Sequence, residues 1–477
     1  MSAALGEAAG RPTLPRVLGP IRPRPRWLEL RLLALVAVAL VVGSISLSAT
    51  VDRTFRLFDP QGLAIYVLVL FGAHAAQVLA GRRTDQILLP TIAMLGGISL
   101  LLMQRLPQDL VSQTFFGTKL GLGQVQLVWL VLAIAMATTI GIVVRSDSWL
   151  RRYKYTWAAA GVGLLLLTFV LGTEVNGQRL TLQLGPFSGQ PTELLKVILV
   201  VFLAGYLSEN RALLVEQDTR LGPFRFPPLP YLAPMVAMWA IALIIVVIQR
   251  DLGAALLFFG VFLALLYVAT GRLSLVIIGL ILFVIGSALM AMLIDHVRTR
   301  VDIWIDPFAD PLGAGYQVVQ ALHAFARGGL VGVGLGGGLP EIAGRPPIPE
   351  VHTDFPLAAL GEELGILGVV AILGLYLVVV ERGLRIGAAA ADDFRSLLAV
   401  GLALVLGIQA FIIAAGDLKV LPLTGVTLPF ISYGGSSLLA NALVVGLLLA
   451  LSDKGVEAPP APRVGSRLGR RLRRGRS

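Results

Sequence analysis

The feature that most limits how this chain can fold is a long series of uninterrupted apolar stretches. Each approaches the roughly 20 residues that a helix needs to cross the hydrocarbon core of a bilayer. About twelve such stretches are predicted, at 31–49, 62–80, 87–103, 125–144, 157–171, 194–207, 231–248, 252–269, 273–294, 355–380, 397–415 and 436–451. We therefore predict an all-α polytopic membrane protein, with a long extracellular loop before the tenth transmembrane helix.

The composition supports this class and excludes others. The charged residues make up 14% of the chain, against about 25% in soluble proteins. The apolar residues run continuously and do not alternate as they do in barrel strands. The chain has no cysteine, which excludes disulfides and thiolate metal sites. Its four histidines are scattered and form no HExxH motif.

The net charge of +11 is concentrated at the two ends of the chain. Residues 1–30 and 453–477 are predicted to be basic, disordered cytoplasmic tails around a helical transmembrane domain at 31–452. Basic tails can bind nucleic acid. Because no aromatic residues interleave these arginines, we predict attraction to anionic lipid and no nucleic-acid binding.

The lysine and arginine content of the loops predicts the orientation in the membrane. Basic loops at 81–86 and 145–155 are expected on the inside by the positive-inside rule. Both termini are then cytoplasmic, and loops 173–193, 295–354 and 416–433 lie outside. The loop 295–354 is far longer than an ordinary connection, and helical spacing of its apolar residues predicts a short helix at 317–325.

Several charged residues lie at the edges of apolar stretches or within them, where they are costly and commonly mark function. They are Glu193, Lys196, Arg250, Asp251, Asp354, Glu362 and Glu363. Glu193 and Lys196 stand three residues apart, so they can pair on one helix face. Asp354 directly precedes a predicted helix. The spacing leaves two interpretations of it equally open, a helix N-cap and a catalytic carboxylate.

At these residues the sequence resembles a known family. The stretches PEVHTDFPLAALGEELGILG (349–368) and LPLTGVTLPFISYGGSSLLANALVVG (421–446) resemble signatures of the RodA/FtsW proteins of bacterial shape, elongation, division and sporulation. The resemblance runs in order from about 157 to 452 and includes VNGQRLTLQLGPFSGQPTELLK (175–196) and QRDLGAALLFFGVFLALLYVATGR (249–272). Two departures are the Leu180–Thr181 pair, where the family usually has tryptophan, and Arg250, where many relatives have proline.

The resemblance implies a peptidoglycan glycosyltransferase of the bacterial cytoplasmic membrane. Such proteins join lipid II units into glycan strands on the outer face, in complex with a class B penicillin-binding protein, which is a transpeptidase. The acceptor hydroxyl needs one general base, and the motif match assigns that role to Asp354. The diphosphate leaving group needs positive charge, for which Arg179, Lys196 and Arg250 are the candidates.

Further residues and a cofactor follow from the same resemblance. The supporting residues are expected to be Glu193, Asp251, His352, Glu362 and Glu363. A divalent cation, Mg²⁺ or Mn²⁺, is a candidate for bridging the diphosphate, although the sequence contains no closed set of ligands. The Arg-Asp-Leu-Gly turn and the additional N-terminal spans favour a RodA-like over an FtsW-like protein.

Two other functions remain open from the sequence. A lipid II flippase or other transporter would also carry polar residues in a helical bundle, but near mid-membrane and commonly within inverted repeats. A non-catalytic membrane scaffold for a transpeptidase would tolerate the loss of Asp354. The polar residues here gather on one side of the membrane, which favours the enzyme over the transporter.

Overall fold

The chain folds into a bundle of long helices. The computed structural model describes residues 23–453 apart from 112, 116–117, 176–177, 185–186, 217–218, 222–223, 227–239, 241–250 and 339–345. The helices of this part are α1 (Trp27–Val51), α2 (Pro60–Leu79), α3 (Leu88–Arg105), α4 (Leu122–Val143), α5 (Ser148–Arg152), α6 (Lys154–Leu171), α7 (Pro191–Glu216), α8 (Leu252–Thr270), α9 (Leu273–Leu293), α10 (Asp295–Ile305), α11 (Tyr316–Gly328), α12 (Pro356–Ala388), α13 (Asp393–Asp417) and α14 (Gly435–Leu451).

Ten of these helices, namely all except α5, α10, α11 and α14, are long and apolar enough to cross a membrane, and α14 is a shorter apolar helix. The predicted span 231–248 lies outside the described residues. The predicted fold class, an all-α polytopic membrane protein, is confirmed. The helix predicted at 317–325 is present as α11, and the loop 295–354 also contains α10, which the sequence analysis did not predict.

Small antiparallel hairpins lie in the connections. They are β1 (Gln113–Phe115) with β2 (Thr118–Leu120), β4 (Gln178–Leu184) between β3 (Thr173–Val175) and β5 (Phe187–Gly189), and β6 (Thr219–Leu221) with β7 (Phe224–Phe226). The predicted outer loop 173–193 therefore contains the three-stranded sheet. In its register Glu174 lies opposite Arg179.

The core is built around α13. This helix packs on α12, α7, α8 and α14, while α14 also packs on α4. In contrast, α9 lies at the edge of the bundle, with Leu275 as its buried residue among those described. Side chains such as Leu282 and Met292 are exposed. An exposed apolar surface on a membrane-spanning helix is expected to face lipid.

Ion pairs at the predicted cytoplasmic ends explain two differences from the predicted helix bounds. Helix α1 begins at Trp27 instead of residue 31 because Arg26 pairs with Glu29 at 2.5 Å and donates to the Thr84 carbonyl at 3.1 Å. Helix α12 continues to Ala388 instead of residue 380, and within this extension Arg382 pairs with Asp85 at 2.5 Å. In both helices the charged side chain beyond the apolar stretch has an ion-pair partner, so the helix can include it.

Helix α12 is interrupted near its outer end. Gly365 has φ 69° and ψ −174°, a conformation that is essentially restricted to glycine. Around it, the loop segment 329–334 replaces two helical hydrogen bonds with four bonds of its own: Val333 N to Glu362 O, Gly334 N to Glu363 O, Ile366 N to Gly329 O and Leu367 N to Leu330 O. Because these backbone groups are paired, the interruption is tolerated inside the bundle.

We expect Gly365→Ala to destabilise the protein by roughly 2–4 kcal/mol. The new Cβ would lie 2.4 Å from the Gly332 backbone nitrogen, in addition to the strained φ. The matched control is Gly374→Ala on the same helix, whose Cβ would meet nothing within 4 Å. The apparent unfolding temperature of the detergent-purified variants should fall for Gly365→Ala alone. Equal temperatures for both would mean that the outer loop does not enter this helix.

Candidate functional site

Asp354 lies at the end of the long loop 295–354, two residues before α12. Its backbone N–H donates to the Glu350 carbonyl at 2.9 Å. The N-cap of α12 is Phe355, and no side chain caps the helix. The N-cap interpretation of Asp354 is therefore wrong, because the capping position is occupied by the next residue, Phe355. The residue is partly exposed, while most of its carboxyl group is buried.

The surroundings of Asp354 make its carboxylate more basic. Burial is the main cause, and the neighbouring Glu350 charge adds to it, while Arg300 acts in the opposite direction; together they raise the pKa of Asp354 to about 6. A carboxylate with such a pKa is ionised at neutral pH and still accepts a proton better than an ordinary aspartate.

Arg300 on α10 is the cation that the structure brings to this carboxylate. It interacts electrostatically with both Asp354 and Asp251, and burial lowers its pKa. Its Nη1 donates to the Leu423 carbonyl at 3.1 Å, which ties α10 to the loop after α13. Sequence reasoning missed Arg300 because Arg298, two residues away, carries the same charge. In the structure the side chain of Arg298 is 70% exposed. No pattern in the sequence distinguishes the two.

Lys196 lies at the centre of a second cluster. Its ammonium donates to Glu193 at 2.6 Å, to Gln409 at 2.9 Å and to Asn441 at 2.7 Å. The predicted Glu193–Lys196 pair is therefore present. The side chain of Lys196 is 2% exposed, and an ammonium has three protons, so all three are already engaged. To bind a diphosphate, Lys196 would have to release one of these partners.

Asp251 connects the two clusters. It is the N-cap of α8, where its side chain accepts from the Ala254 N–H at 2.9 Å. It also interacts electrostatically with Glu193 on one side and with Arg300 on the other, and burial raises its pKa. The first turn of α8 thus lies within electrostatic reach of charged groups on α7 and α10.

The remaining predicted supporting residues have structural contacts. The carbonyl of His352 accepts from the Tyr433 N–H at 2.8 Å, and the two rings lie 5.8 Å apart. Burial lowers the pKa of His352. Glu362 pairs with Arg327 at 2.8 Å and Glu363 with Arg105 at 3.0 Å. These contacts orient the loop and the interrupted part of α12.

Two predicted cations contribute no described side chain to the site. Arg179 lies in β4, and its side chain is not among those described; Arg250 lies outside the described residues. Within the described ranges, no three histidine, aspartate or glutamate side chains are grouped so that they could hold a metal ion. A Mg²⁺ ion commonly uses one or two carboxylates together with substrate phosphates and water.

Comparisons with known proteins place this arrangement in a family. The family described as FtsW/RodA/SpoVE cell cycle proteins matches residues 86–456. The peptidoglycan glycosyltransferase RodA of Mycobacterium tuberculosis H37Rv is 39% identical over 442 residues, covering 92% of each chain. A probable peptidoglycan glycosyltransferase FtsW of Nitrosococcus halophilus is 40% identical over 297 residues, covering 61% of this chain and 72% of its own.

Solved structures agree with the sequence comparison. A chain from a peptidoglycan synthase complex that coordinates polymerisation and crosslinking superposes with a TM-score of 0.61 at 27% identity, covering 78% of this chain and 98% of that one. The RodA crystal structure from Thermus thermophilus gives a TM-score of 0.54 at 25% identity, covering 78% of this chain and 97% of that one. The chain is a polytopic membrane protein of the cell-wall polymerase type. It belongs to the FtsW/RodA/SpoVE family.

The family comparison confirms the resemblance seen in the sequence, including the closer likeness to RodA, since the RodA relative matches over most of its length. The family match begins at residue 86, earlier than the signature stretches, which begin near 157. Helices α1 and α2 precede the family match. The mycobacterial relative matches 92% of this chain, so its match extends to residues before 86.

We expect Lys196→Met to cost about 3–5 kcal/mol of stability, because it leaves the buried Glu193 carboxylate without its partner. The double variant Glu193→Gln/Lys196→Met leaves no buried charge unpaired and should recover the wild-type unfolding temperature. Lys119→Met, at an exposed strand position, is the matched control.

Polymerisation by the double variant then separates the two roles of Lys196. An inactive, stable double variant would support its assignment to the diphosphate. A fully active one would restrict Lys196 to holding the helices together.

Proposed function

We propose that this chain, a peptidoglycan glycosyltransferase of the FtsW/RodA/SpoVE family, polymerises lipid II on the outer face of the cytoplasmic membrane with Asp354 as general base. Asp354 removes the proton from the 4-hydroxyl of the acceptor sugar. The hydroxyl oxygen forms a bond to the anomeric carbon of the donor, and the bond from that carbon to the diphosphate breaks. Undecaprenyl diphosphate leaves with the electron pair of that bond.

The observation that carries this proposal is the placement of the Asp354 carboxylate near Arg300 and before the start of α12. It caps no helix, it is partly exposed, and its pKa is raised to about 6. A structural aspartate at the start of a helix would bond to backbone N–H groups, which lower the pKa. The arrangement at Asp354 instead suits proton removal near neutral pH.

Arg300 supports the departure of the diphosphate. It is the described cation that interacts with Asp354, and its guanidinium can bind phosphate oxygens in a bidentate manner. Fixed positive charge near a leaving group is commonly the largest single contribution to catalysis. Arg179, Lys196 and Arg250 remain proposals for the same role. A divalent cation also remains one, with most of its ligands taken from the diphosphate and water.

The transporter and scaffold alternatives receive less support. The charged groups Asp251, Arg300 and Asp354 lie at or beyond the ends of the membrane-crossing helices on the proposed outer side. A transporter requires binding groups near mid-membrane. A scaffold does not need a carboxylate whose raised pKa suits it to accept a proton at a membrane surface. Glycosyl transfer, the activity for which the relatives are named, agrees with this preference.

We propose a class B penicillin-binding protein as the partner and elongation as the cellular role. The partner proposal is supported by the neighbour structure, which belongs to a complex that couples polymerisation to crosslinking. The role in elongation is supported by the RodA relatives, which match most of the chain, whereas the FtsW relative matches 61% of it.

Replacing the proposed base should abolish polymerisation. Asp354→Asn keeps the size of the side chain but cannot accept the hydroxyl proton, so glycan synthesis from labelled lipid II should fall by at least about 10²-fold, the usual contribution of a general base. The purified variant, together with its partner transpeptidase, should keep the wild-type unfolding temperature. Polymerisation by this variant at the wild-type rate would rule out Asp354 as the base.

The rate of polymerisation should depend on pH through Asp354. The base is active when ionised, so the rate should rise with pH and reach half its plateau near pH 6. Arg300 lowers the pKa of Asp354; Arg300→Met should therefore move the acid limb to higher pH and lower the plateau. Arg298→Met, on the exposed side of the same helix, is the control and should change neither. An unshifted limb in Arg300→Met would separate Arg300 from the base.

The orientation proposed here, with both termini cytoplasmic, is supported by the basic inner loops. A tag inserted after Leu312, which is 87% exposed in the outer loop, should be labelled from outside intact cells. A tag after Ser477 should be labelled only after permeabilisation. Labelling of both from the same side would place Asp354 away from the outer face.

A further inference from the structure

A second aspartate near Asp354 has no role in the mechanism described so far. Asp417 is the last residue of α13, at the same outer end of the bundle. It is 1% exposed. Within the part of the chain that the structure describes, neither of its carboxyl oxygens has a hydrogen-bond partner.

This placement is unfavourable in three ways, of which the second and third apply to the ionised carboxylate. A buried polar group without a partner loses its hydration and gains nothing in return. The C-terminal end of a helix carries partial negative charge, so it disfavours an acidic side chain. The carboxylate of Asp354 is close enough to interact unfavourably with that of Asp417. The fold therefore holds an acceptor beside the proposed base at a cost in stability.

The turn that follows Asp417 is hydrogen-bonded to α10. The turn after it contains Lys419 with φ 60°, and the Lys419 carbonyl accepts from the Trp304 indole at 3.2 Å. Further along, the Leu423 carbonyl accepts from Arg300 at 3.1 Å. Helix α10 thus contacts the turn after α13 at two points. Among the helices and strands, α10 packs closely on α9 and on the short 3-10 turn Pro307–Ala309, which flank it in the chain.

We propose that Asp417 binds hydroxyl or amide N–H donors of the saccharide part of the substrate when α10 moves away from the turn after α13. The proposal rests on the function proposed above. A carboxylate offers two oxygens to neighbouring donors, and a disaccharide with acetamido groups carries many O–H and N–H donors. Undecaprenyl diphosphate has none on its lipid chain, so Asp417 would distinguish the saccharide-bearing substrate from the released product.

A site of this kind has a particular thermodynamic signature. A group that is satisfied only by substrate destabilises the free protein, so its removal should stabilise the fold while it weakens function. A residue with a merely structural role behaves in the opposite way, because its removal destabilises the protein. Measuring stability and binding together therefore separates the two.

The test compares Asp417→Asn and Asp417→Ser with the full-length wild-type protein in detergent. The unfolding temperature without substrate should rise in both variants. The Kd for lipid II should increase at least tenfold, while the Kd for undecaprenyl diphosphate should stay within twofold of wild type. The matched control is Asp393→Asn, an exposed aspartate at the other end of α13 that pairs with Arg211, and it should change neither Kd.

Three results would overturn the proposal. An unchanged Kd for lipid II would mean that Asp417 does not contact the substrate. An equal loss for both ligands would mean that it does not recognise the saccharide. A lower unfolding temperature in both variants would mean that the carboxyl is satisfied in the folded protein. Because these readouts are binding and stability, they remain decisive even if Asp354→Asn polymerises normally and the proposed base is wrong.

Discussion

The hydrogen bonds of the Lys196 ammonium are the interactions on which the arrangement of α7, α13 and α14 depends. The ammonium is buried, pairs with Glu193 on its own helix α7, and joins α7 to Gln409 on α13 and Asn441 on α14. Gln409 in turn donates to the Thr427 carbonyl at 2.8 Å, so the same group holds the loop between α13 and α14. In a low-dielectric interior each of these polar groups is costly unless it is paired. The charge therefore specifies one relative position of the three helices, and that position brings the site residues together.

The sequence predicted the parts of the structure that depend on local patterns. Continuous apolar runs located the ten long helices because the bilayer requires a minimum length, and the three-residue spacing of Glu193 and Lys196 predicted their pair. Arg300 could not be found in this way. Whether it or Arg298 faces Asp354 depends on how α10 rests on the turn after α13, which is a long-range contact. The partners of Lys196 on two other helices, and the unpaired state of Asp417, are long-range properties of the same kind.

Local rules also failed where a distant segment altered a helix. The pattern before α12 allowed Asp354 to be its N-cap, yet the N-cap is the next residue, Phe355. The stretch 355–380 reads as one regular span, but the segment 329–334 enters it at Gly365. The second difference arises because the loop packs on α12. A glycine in an apolar run indicates that a bend is permitted there, without indicating which segment fills it.

The interruption of α12 also bears on how the protein is made. Four backbone groups near Gly365 pair with the loop segment 329–334, which precedes them in the chain. Without that segment, Ile366 and Leu367 can donate to Glu362 and Glu363 as in a regular helix, so α12 can cross the bilayer uninterrupted. Packing of the loop then exchanges these two helical hydrogen bonds for four and creates the interruption at Gly365. The bend in α12 is therefore a product of tertiary packing, and it can form after the helix has entered the membrane.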